Sequence, residues 1–240
     1  MTRPECRPLS REEVRGLDVL AADEFALPTL VLMENAGRAA ADAWEDLAGE
    51  GRPRVLVVCG PGNNGGDGGV MARHLDARGY PVSLVWFARQ DAIRGDARAQ
   101  WDVLERSEVP QQDWFDARPE AEGPDPDALD DLFAGADWLV DGLLGTGLTR
   151  PLTGAFRAVV EAMNRSGRPI LALDLPSGLD ADTGRPLGVA VRARATVTFA
   201  ARKLGFDAPG ASAYTGTVHV ADIGLPGKLL RRFHPEPADD

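Results

Sequence analysis

The sequence has little of what membranes, structural metals and nucleic-acid surfaces require. It carries two cysteines, Cys6 and Cys59, which form neither a CxxC pair nor a disulfide framework and fit a reducing cytoplasm. Cys59 ends an apolar run and reads as a packed thiol rather than a reactive one. No apolar stretch approaches the roughly 20 residues that cross a bilayer, which excludes a membrane-spanning helix. Met1 to Ser10 lacks the apolar segment of a secretory signal. Three histidines and no His/Cys cluster leave no zinc or iron signature. Basic charge is also short: 26 Lys and Arg face 37 Asp and Glu, for a net charge of -11. That argues against a nucleic-acid surface, because phosphate backbones are held by clustered cations. A phosphorylated ligand would have to be held locally.

What is present is one long Gly-rich stretch, Gly60-Pro61-Gly62-Asn63-Asn64-Gly65-Gly66-Asp67-Gly68-Gly69, between the apolar run Val55 to Cys59 and the helix-like Val70 to Leu75. The order is strand, turn, helix. Glycines let backbone N–H groups close around an anion at a helix N-terminus, so the stretch reads as a phosphate or dinucleotide cradle. Its asparagines and Asp67 are foreign to a pure phosphate loop, since a carboxylate repels the anion. They point to chemistry beyond phosphate binding.

At 240 residues the chain suits one α/β domain, with a core over about residues 10–226 and a flexible tail from 227 to 240. Residues 11–25 and 28–48 read as helices separated at Pro28, the second with apolar residues at three- and four-residue spacing. Met33-Glu34-Asn35-Ala36-Gly37 offers a small-residue surface for close packing on the sheet or on a partner. Arg54 to Gly60, Asp67 to Arg78 and Val82 to Ala88 form a βαβ unit, which implies a parallel sheet. A helix follows over Ile93 to Arg106. Pro110 to Asp127 is surface loop with a short strand near Trp114-Phe115. Ala128 to Ala134 is a helix, Trp138 to Val140 a strand ending at Asp141, and Gly142 to Pro151 a second Gly-rich loop before a helix over Thr153 to Arg165. Pro169 to Leu173 is a buried strand ending at Asp174, and Ala195 to Ala200 and Thr217 to Val220 supply later strands.

Three strand ends are polar and glycine-containing: Asn63/Asn64/Asp67, Asp141, and Asp174/Ser177. In an open parallel sheet ligands bind outside the carboxyl ends of the strands, so these loops are expected to face one another. Taken singly, each aspartate also suits an N-cap or turn. Gly60-x-Gly62-x-x-Gly65 fits the dinucleotide fingerprint, but the acid after the second strand is supplied only loosely by Asp91. No Lys-Ser or Lys-Thr follows the glycines, which excludes a Walker loop. Asp180-x-Asp182-x-Gly184 has the outline of a calcium loop without its closing glutamate and reads as a turn. Ser177 lacks the flanking glycine of a nucleophile elbow. His74 reads as a surface or packed residue.

Four stretches together resemble the NAD(P)H-hydrate epimerase family, the YjeF N-terminal domain. They are Leu32-Met33-Glu34-Asn35-Ala36-Gly37, Gly60 to Gly68, Asp141-Gly-Leu-Leu-Gly-Thr-Gly-Leu-Thr-Arg-Pro151, and Leu173-Asp-Leu-Pro-Ser-Gly-Leu-Asp180. The resemblance implies a Rossmann-like three-layer α/β/α sandwich with a mostly parallel central sheet and extra N-terminal helices, and a homodimer that uses those helices. It implies as substrate NADHX and NADPHX, the hydrated forms of NADH and NADPH. Carried across by position, Asn63, Asn64, Gly65, Gly66 and Asp67, then Gly145, Thr146, Gly147, Leu148, Thr149, Arg150 and Pro151, and Asp174 contact it. Asn64, Asp141 and Ser177 hold a potassium ion. Oxygen ligands suit such a hard cation, which also offsets repulsion between acidic loops and a diphosphate. Arg150 is the candidate for an extra phosphate contact, with simple solvent exposure as the alternative.

The implied reaction needs no redox cofactor. The epimerised carbon bears a hydroxyl and the ring nitrogen, so inversion requires loss and return of that hydroxyl with proton transfer. Asp174 is the expected catalytic carboxyl, with Asp67 as alternative or second member. Family members are often fused to an ATP- or ADP-dependent dehydratase. This chain ends soon after Asp222-Ile223-Gly224-Leu225-Pro226, so the expectation is a stand-alone epimerase serving a separate dehydratase. Gly69 stands where the family more usually has an apolar residue, and is expected to widen the site or loosen the helix start. The alternative reading is a non-catalytic nucleotide- or protein-binding scaffold of the same fold. An ordinary NAD-dependent dehydrogenase is disfavoured for want of a clear ribose-binding acid.

Overall fold

The computed structural model describes residues 6–115 and 124–234. Two helices open it, α1 (Arg11–Phe25) and α2 (Thr29–Ala48). Ser10 caps α1 through a reciprocal capping box: its Oγ accepts from the Glu13 N–H at 3.2 Å, and Glu13 Oε2 accepts from the Ser10 N–H at 2.9 Å. The chain then runs β1 (Val55–Cys59), α3 (Asn63–Ala77), β2 (Val82–Trp86), α4 (Gly95–Arg106), β3 (Gln111–Asp113), α5 (Pro126–Ala134), β4 (Trp138–Gly142), α6 (Gly154–Arg165) and β5 (Ile170–Leu173). It closes with β6 (Ala195–Phe199), α7 (Ser212–Thr215), β7 (Thr217–Ala221) and α8 (Gly227–Leu230).

The seven strands form one sheet in the order β3-β2-β1-β4-β5-β6-β7, and every pairing is parallel. Where a mostly parallel sheet was expected, the described strands are wholly parallel. The strand β1 shows why such strands read as unbroken apolar runs: all five residues are buried because both faces are covered. Val55, Val57 and Cys59 enter a core shared with α1 to α4, while Leu56 and Val58 enter a second core with α5 and α6. This is the three-layer sandwich, with strand alternation sorting side chains between layers.

The Gly-rich stretch is not chiefly a turn. The helix α3 begins at Asn63, four residues before the expected Asp67, so its first two turns contain most of the glycines. Intrinsic propensity disfavours glycine there by about 1 kcal/mol per residue; tight packing on three sides accounts for it. A Cβ at position 65 would sit 2.0 Å from Gly60 O, one at 66 would meet the Met33 side chain at 2.5 Å, and one at 68 would press on Val57 and Cys59 of β1 at 3.0 and 3.1 Å. Gly37 of α2 likewise admits Val70 of α3, where a Cβ would lie 2.4 Å from Val70 Cβ. The N-terminal helices therefore pack on the chain's own sheet-flanking layer.

Gly69 is corrected by the same geometry. Its vacant Cβ direction faces Gln100 and Leu104 of α4 and Trp86 of β2, so it neither lines nor widens the site; the large indoles of Trp86 and Trp101, 5.3 Å apart, occupy this region. The short third strand lies at Gln111–Asp113, just before Trp114, which is fully buried and stacks on Phe87 at 5.1 Å. A frayed tail from residue 227 is not found in its first turns, because Leu229 and Leu230 are buried against the core; residues 235–240 lie outside the described residues.

Gly65→Ala is expected to cost about 3 kcal/mol through its collision with the Gly60 carbonyl. Gly62→Ala meets no atom within 4 Å and is expected to cost at most about 1 kcal/mol as a weaker N-cap. Urea midpoints of the two variants against the parent chain measure the difference.

Candidate functional site

Sheet order places the site. Going outward from β1, the chain turns to β2 and β3 on one side and to β4 through β7 on the other, so the carboxyl ends of β1 and β4 flank the crevice where the winding reverses. Gly60 continues the ladder there, its N–H bonding Gly142 O at 3.0 Å. A Cβ on Gly60 would lie 1.8 Å from Leu143 O, so only glycine lets the two strand ends run this close.

Above the crevice is a cavity of about 570 Å³. Of the residues expected at the site, Asn63, Asn64, Asp67, Gly145, Thr146, Gly147, Leu148, Thr149, Arg150 and Asp174 line it. Asn63, Asn64 and Asp67 share one face of α3 because they are three and four residues apart on a helix. Gly65, Gly66 and Pro151 are not in the lining; the first two are taken up by the packing described above. Asp141 and Ser177 lie behind the lining, 0% and 1% exposed. The two carboxylate oxygens of Asp141 accept from Ser177 N–H at 2.7 Å, Ser177 Oγ at 2.6 Å and Leu143 N–H at 3.2 Å. Leu144 N–H donates to Ser177 Oγ at 2.9 Å. These bonds pin the Leu143-to-Pro151 loop to the strand ends.

The cavity floor gathers carboxyl groups. Asp174 follows β5 in the left-handed region, at φ 60°, a conformation Asp tolerates better than most residues. Its N–H bonds Val197 O at 2.8 Å, and its Oδ1 accepts from Phe199 N–H at 3.3 Å. Lys203 Nζ reaches the same oxygen at 2.5 Å, with the lysine side chain wholly buried and the aspartate 14% exposed. The ammonium also donates to Phe199 O at 3.2 Å and Ala201 O at 3.4 Å, so its three protons have three acceptors. Asp67 is held well above the usual carboxylate range, first by burial and then by the charges of Asp174 and Asp18, with Lys203 opposing. Asp18, from α1, is pushed up to about 6 by burial and by Asp174, again with Lys203 opposing. Burial likewise takes Asp141 to about 6 against the pull of its Ser177 and Leu143 hydrogen bonds.

Asn64 stands out among the buried polar groups, because neither its Oδ1 nor its Nδ2 has a hydrogen-bond partner. A buried amide left unpaired costs about 1–3 kcal/mol. The cations that line the cavity are Arg15 of α1 and Arg150, both exposed. Pro61, Gly62 and Asn63, at the start of α3, also line it, and the N-cap of that helix makes no side-chain hydrogen bond.

Sequence reasoning missed two members, Lys203 and Asp18. Lys203 had an overlooked signal: it is one of only two lysines, with Lys228, among 26 basic residues, so a lysine here stands against the chain's strong use of arginine. A compact ammonium fits a closed pocket with three convergent acceptors better than a planar guanidinium does. Asp18 carried no signal, since an acid on an amphipathic helix is ordinary. Other open readings close. Glu34 pairs with Arg73 and with His74 Nε2, joining α2 to α3. Asp180 is a turn residue, accepting from Thr183 N–H at 2.8 Å and Asp182 N–H at 3.1 Å and pairing with Arg11 at 2.5 Å. Cys59 is a packed thiol, pushed up by burial and the neighbouring carboxylates.

The profile of the family described as YjeF-related protein N-terminus matches residues 29–205. The chain is 43% identical over 226 residues to the NAD(P)H-hydrate epimerase of Rhodopirellula baltica, covering 94% of this chain and 88% of that protein. It is 41% identical over 231 residues to the NAD(P)H-hydrate epimerase of Pirellula staleyi, covering 96% and 98%. A bifunctional NAD(P)H-hydrate repair enzyme Nnr from Moorella thermoacetica is 40% identical over 233 residues, which are 92% of this chain but 41% of that protein. Among solved structures, yeast ynu0 superposes with a TM-score of 0.77 at 24% identity, over 98% of this chain and 96% of that one; it shows the same fold.

Removing the ammonium is expected to expose what it holds together. Lys203→Met leaves Asp174 unpaired and removes the charge that opposes the rise of Asp18 and Asp67, at a cost of about 3 kcal/mol at pH 8. The loss is expected to shrink at pH 5, where protonation neutralises carboxylates left without a partner. Denaturant midpoints at the two pH values measure it.

Proposed function

The chain belongs to the family of YjeF-related protein N-termini, and from that premise we propose that it interconverts the R and S forms of hydrated NADH and NADPH at the hydroxyl-bearing ring carbon. The observation that carries this reading is the cavity floor: a buried Asp67, held well above the usual carboxylate range by burial and by Asp174 and Asp18, beside an Asp174 bonded to Lys203. Both carboxyls open onto a space large enough for the substrate's ring end. They supply an acid and a base, and the reaction asks for both.

Asp67 gives its proton to the departing hydroxyl, the C–O bond breaks, water leaves, and the ring nitrogen's lone pair makes the iminium. Water returns on the opposite face, its oxygen bonding the same carbon while Asp174 takes the released proton. Exchange between the two carboxyls and solvent returns the proton to Asp67. No hydride moves, so the oxidation level of the ring is unchanged. The apolar wall from Leu32, Met33 and Ala36 of α2 with Phe199 suits the ring and keeps bulk water low, while the free start of α3 with Arg15 and Arg150 suits the diphosphate.

The donor set fits a potassium ion. Asn64 Oδ1 is buried without a partner, and the carboxylate of Asp141 is buried with no cationic side chain paired to it among the described residues. Asn64, Asp141 and Ser177 would hold the ion, whose positive charge would offset Asp141 and the incoming diphosphate. We take the working form to be a homodimer built on the N-terminal helices, where Val19, Leu30 and Val31 remain exposed, and its product to feed a dehydratase that accepts one epimer. Among the described residues no helix is long and apolar enough to cross a membrane.

The test is the approach of a single purified NADPHX epimer to the mixture, followed by NMR in potassium buffer. Acceleration by the parent chain and a loss of at least about a hundredfold in Asp174→Asn, with unchanged folding, are the expected results; a folded chain that leaves the epimer untouched defeats the reading. Melting temperature is expected to rise when potassium replaces choline in the buffer, and to do so less in Asn64→Ala.

A further inference from the structure

The reaction assigns no work to Lys203, yet its side chain is wholly buried, and a charge taken out of water is costly unless a partner needs it there. The backbone around it is fastened from two sides. Leu9 bridges Lys203 as a parallel β-bridge, with Leu9 N–H bonding Arg202 O at 2.8 Å and Leu204 N–H bonding Leu9 O at 2.9 Å; on the other side Phe206 N–H bonds Lys203 O at 3.1 Å. The side chain then folds back over the turn that follows β6, where Nζ donates to Phe199 O at 3.2 Å and Ala201 O at 3.4 Å. A neutral donor could serve those two carbonyls. What calls for an ammonium is the third acceptor, Asp174 Oδ1 at 2.5 Å.

The two oxygens of Asp174 have different surroundings. Oδ1 has Lys203 Nζ at 2.5 Å, Phe199 N–H at 3.3 Å and Thr198 Oγ1 at 3.4 Å. Oδ2 accepts no hydrogen bond among the described residues and is turned toward the loop after β4: a Cβ on Gly145 would lie 3.7 Å from it. Gly145 and Asp174 both line the cavity. Anchored through one oxygen, the carboxyl cannot swing about its last side-chain torsion, and the other oxygen keeps a fixed aim.

We propose that Lys203 is a positioning residue of this site: its ammonium, pinned by the turn after β6, holds Asp174 by Oδ1 and so presents Oδ2 as the oxygen that takes the proton from the incoming water. The inference rests on the epimerase reading and assigns one of its steps to an atom. As water adds, its oxygen bonds the ring carbon, the iminium electron pair returns to the ring nitrogen, one O–H bond breaks, and the proton passes to Oδ2 and from there to solvent. Without the ammonium the carboxyl samples other orientations and meets the reacting hydroxyl only part of the time. A group misplaced by about 1 Å costs the chemical step up to about a hundredfold, while the contacts that bind the rest of the substrate stay in place. Leu9, before the matched range of residues 29–205, belongs to the support of Lys203.

The experiment measures kcat and KM for one NADPHX epimer in the parent chain, Lys203→Met, Asp174→Asn and the double variant at pH 8, with rates expressed per folded molecule from near-ultraviolet circular dichroism. Lys203→Met keeps the length and packing of the side chain and removes its charge. Its kcat is expected to fall about fiftyfold with KM within about twofold. In the Asp174→Asn background the same substitution is expected to change kcat by less than about twofold, because a residue that acts through Asp174 has nothing left to position. If Lys203→Met does not fold, Lys203→Gln, which retains donors for the two carbonyls of the turn, is read by the same criteria. A folded variant with the parent's kcat, a loss confined to KM, or losses that multiply in the double variant each overturn the role of Lys203 and leave the epimerase reading intact. A folded parent chain with no epimerase activity overturns both.

Discussion

Carboxylates taken out of water must find protons, cations or hydrogen-bond donors, and the carboxyl end of this sheet is built around that requirement. Asp174 is met by the buried ammonium of Lys203 at 2.5 Å, Asp141 by three donors from Ser177 and Leu143, and Asp67 by a rise well above the usual carboxylate range that burial imposes. Each solution constrains a different piece of chain. Lys203 needs the turn after β6, where Ala200 takes φ 65°, and the bridge to Leu9. Ser177 needs the loop after β5. Asp67 needs α3 to start early enough to present it one turn after Asn63 and Asn64. Desolvation is the common cost, and burying such groups separately would be prohibitive.

The glycines of α3 serve the same end by a different route. They read as a phosphate cradle, yet those at 65, 66 and 68 are consumed by contacts with Gly60, Met33 and β1. Bringing the helix start hard against the sheet and against α2 is what pushes Asn64 and Asp67 into the crevice with so little exposure. The anion-binding capacity of the helix N-terminus survives at Gly62 and Asn63, which remain open to the cavity. One stretch thus combines tight packing on its hidden faces with polar chemistry on its open one.

Much of this was legible beforehand, because periodicity and strand-end polarity are local signals. The apolar runs at β1, β4 and β5 announced buried parallel strands, and the acids that end them, Asp141 and Asp174, marked the strand ends that border the cavity. Less was legible where the relevant partner is distant. The helical state of Asn63 to Gly69 defied propensity because tertiary contacts override it. Gly69 seemed adjacent to the site by sequence but points at α4, since a helix turns neighbours away from one another. Asp18 had no local pattern at all, and Lys203 only its rarity as one of two lysines.

By itself the sequence determined a parallel α/β sheet, the alternation of its core, and the identity of the polar residues at three strand ends, because those follow from side-chain type and spacing along the chain. Tertiary structure alone decided which carboxyl meets an ammonium, which meets backbone and hydroxyl donors, and which is held up by burial. That depends on burial and on charges brought from α1, α3 and the segment after β6 to one cavity, and such distances are not a property of any stretch of sequence.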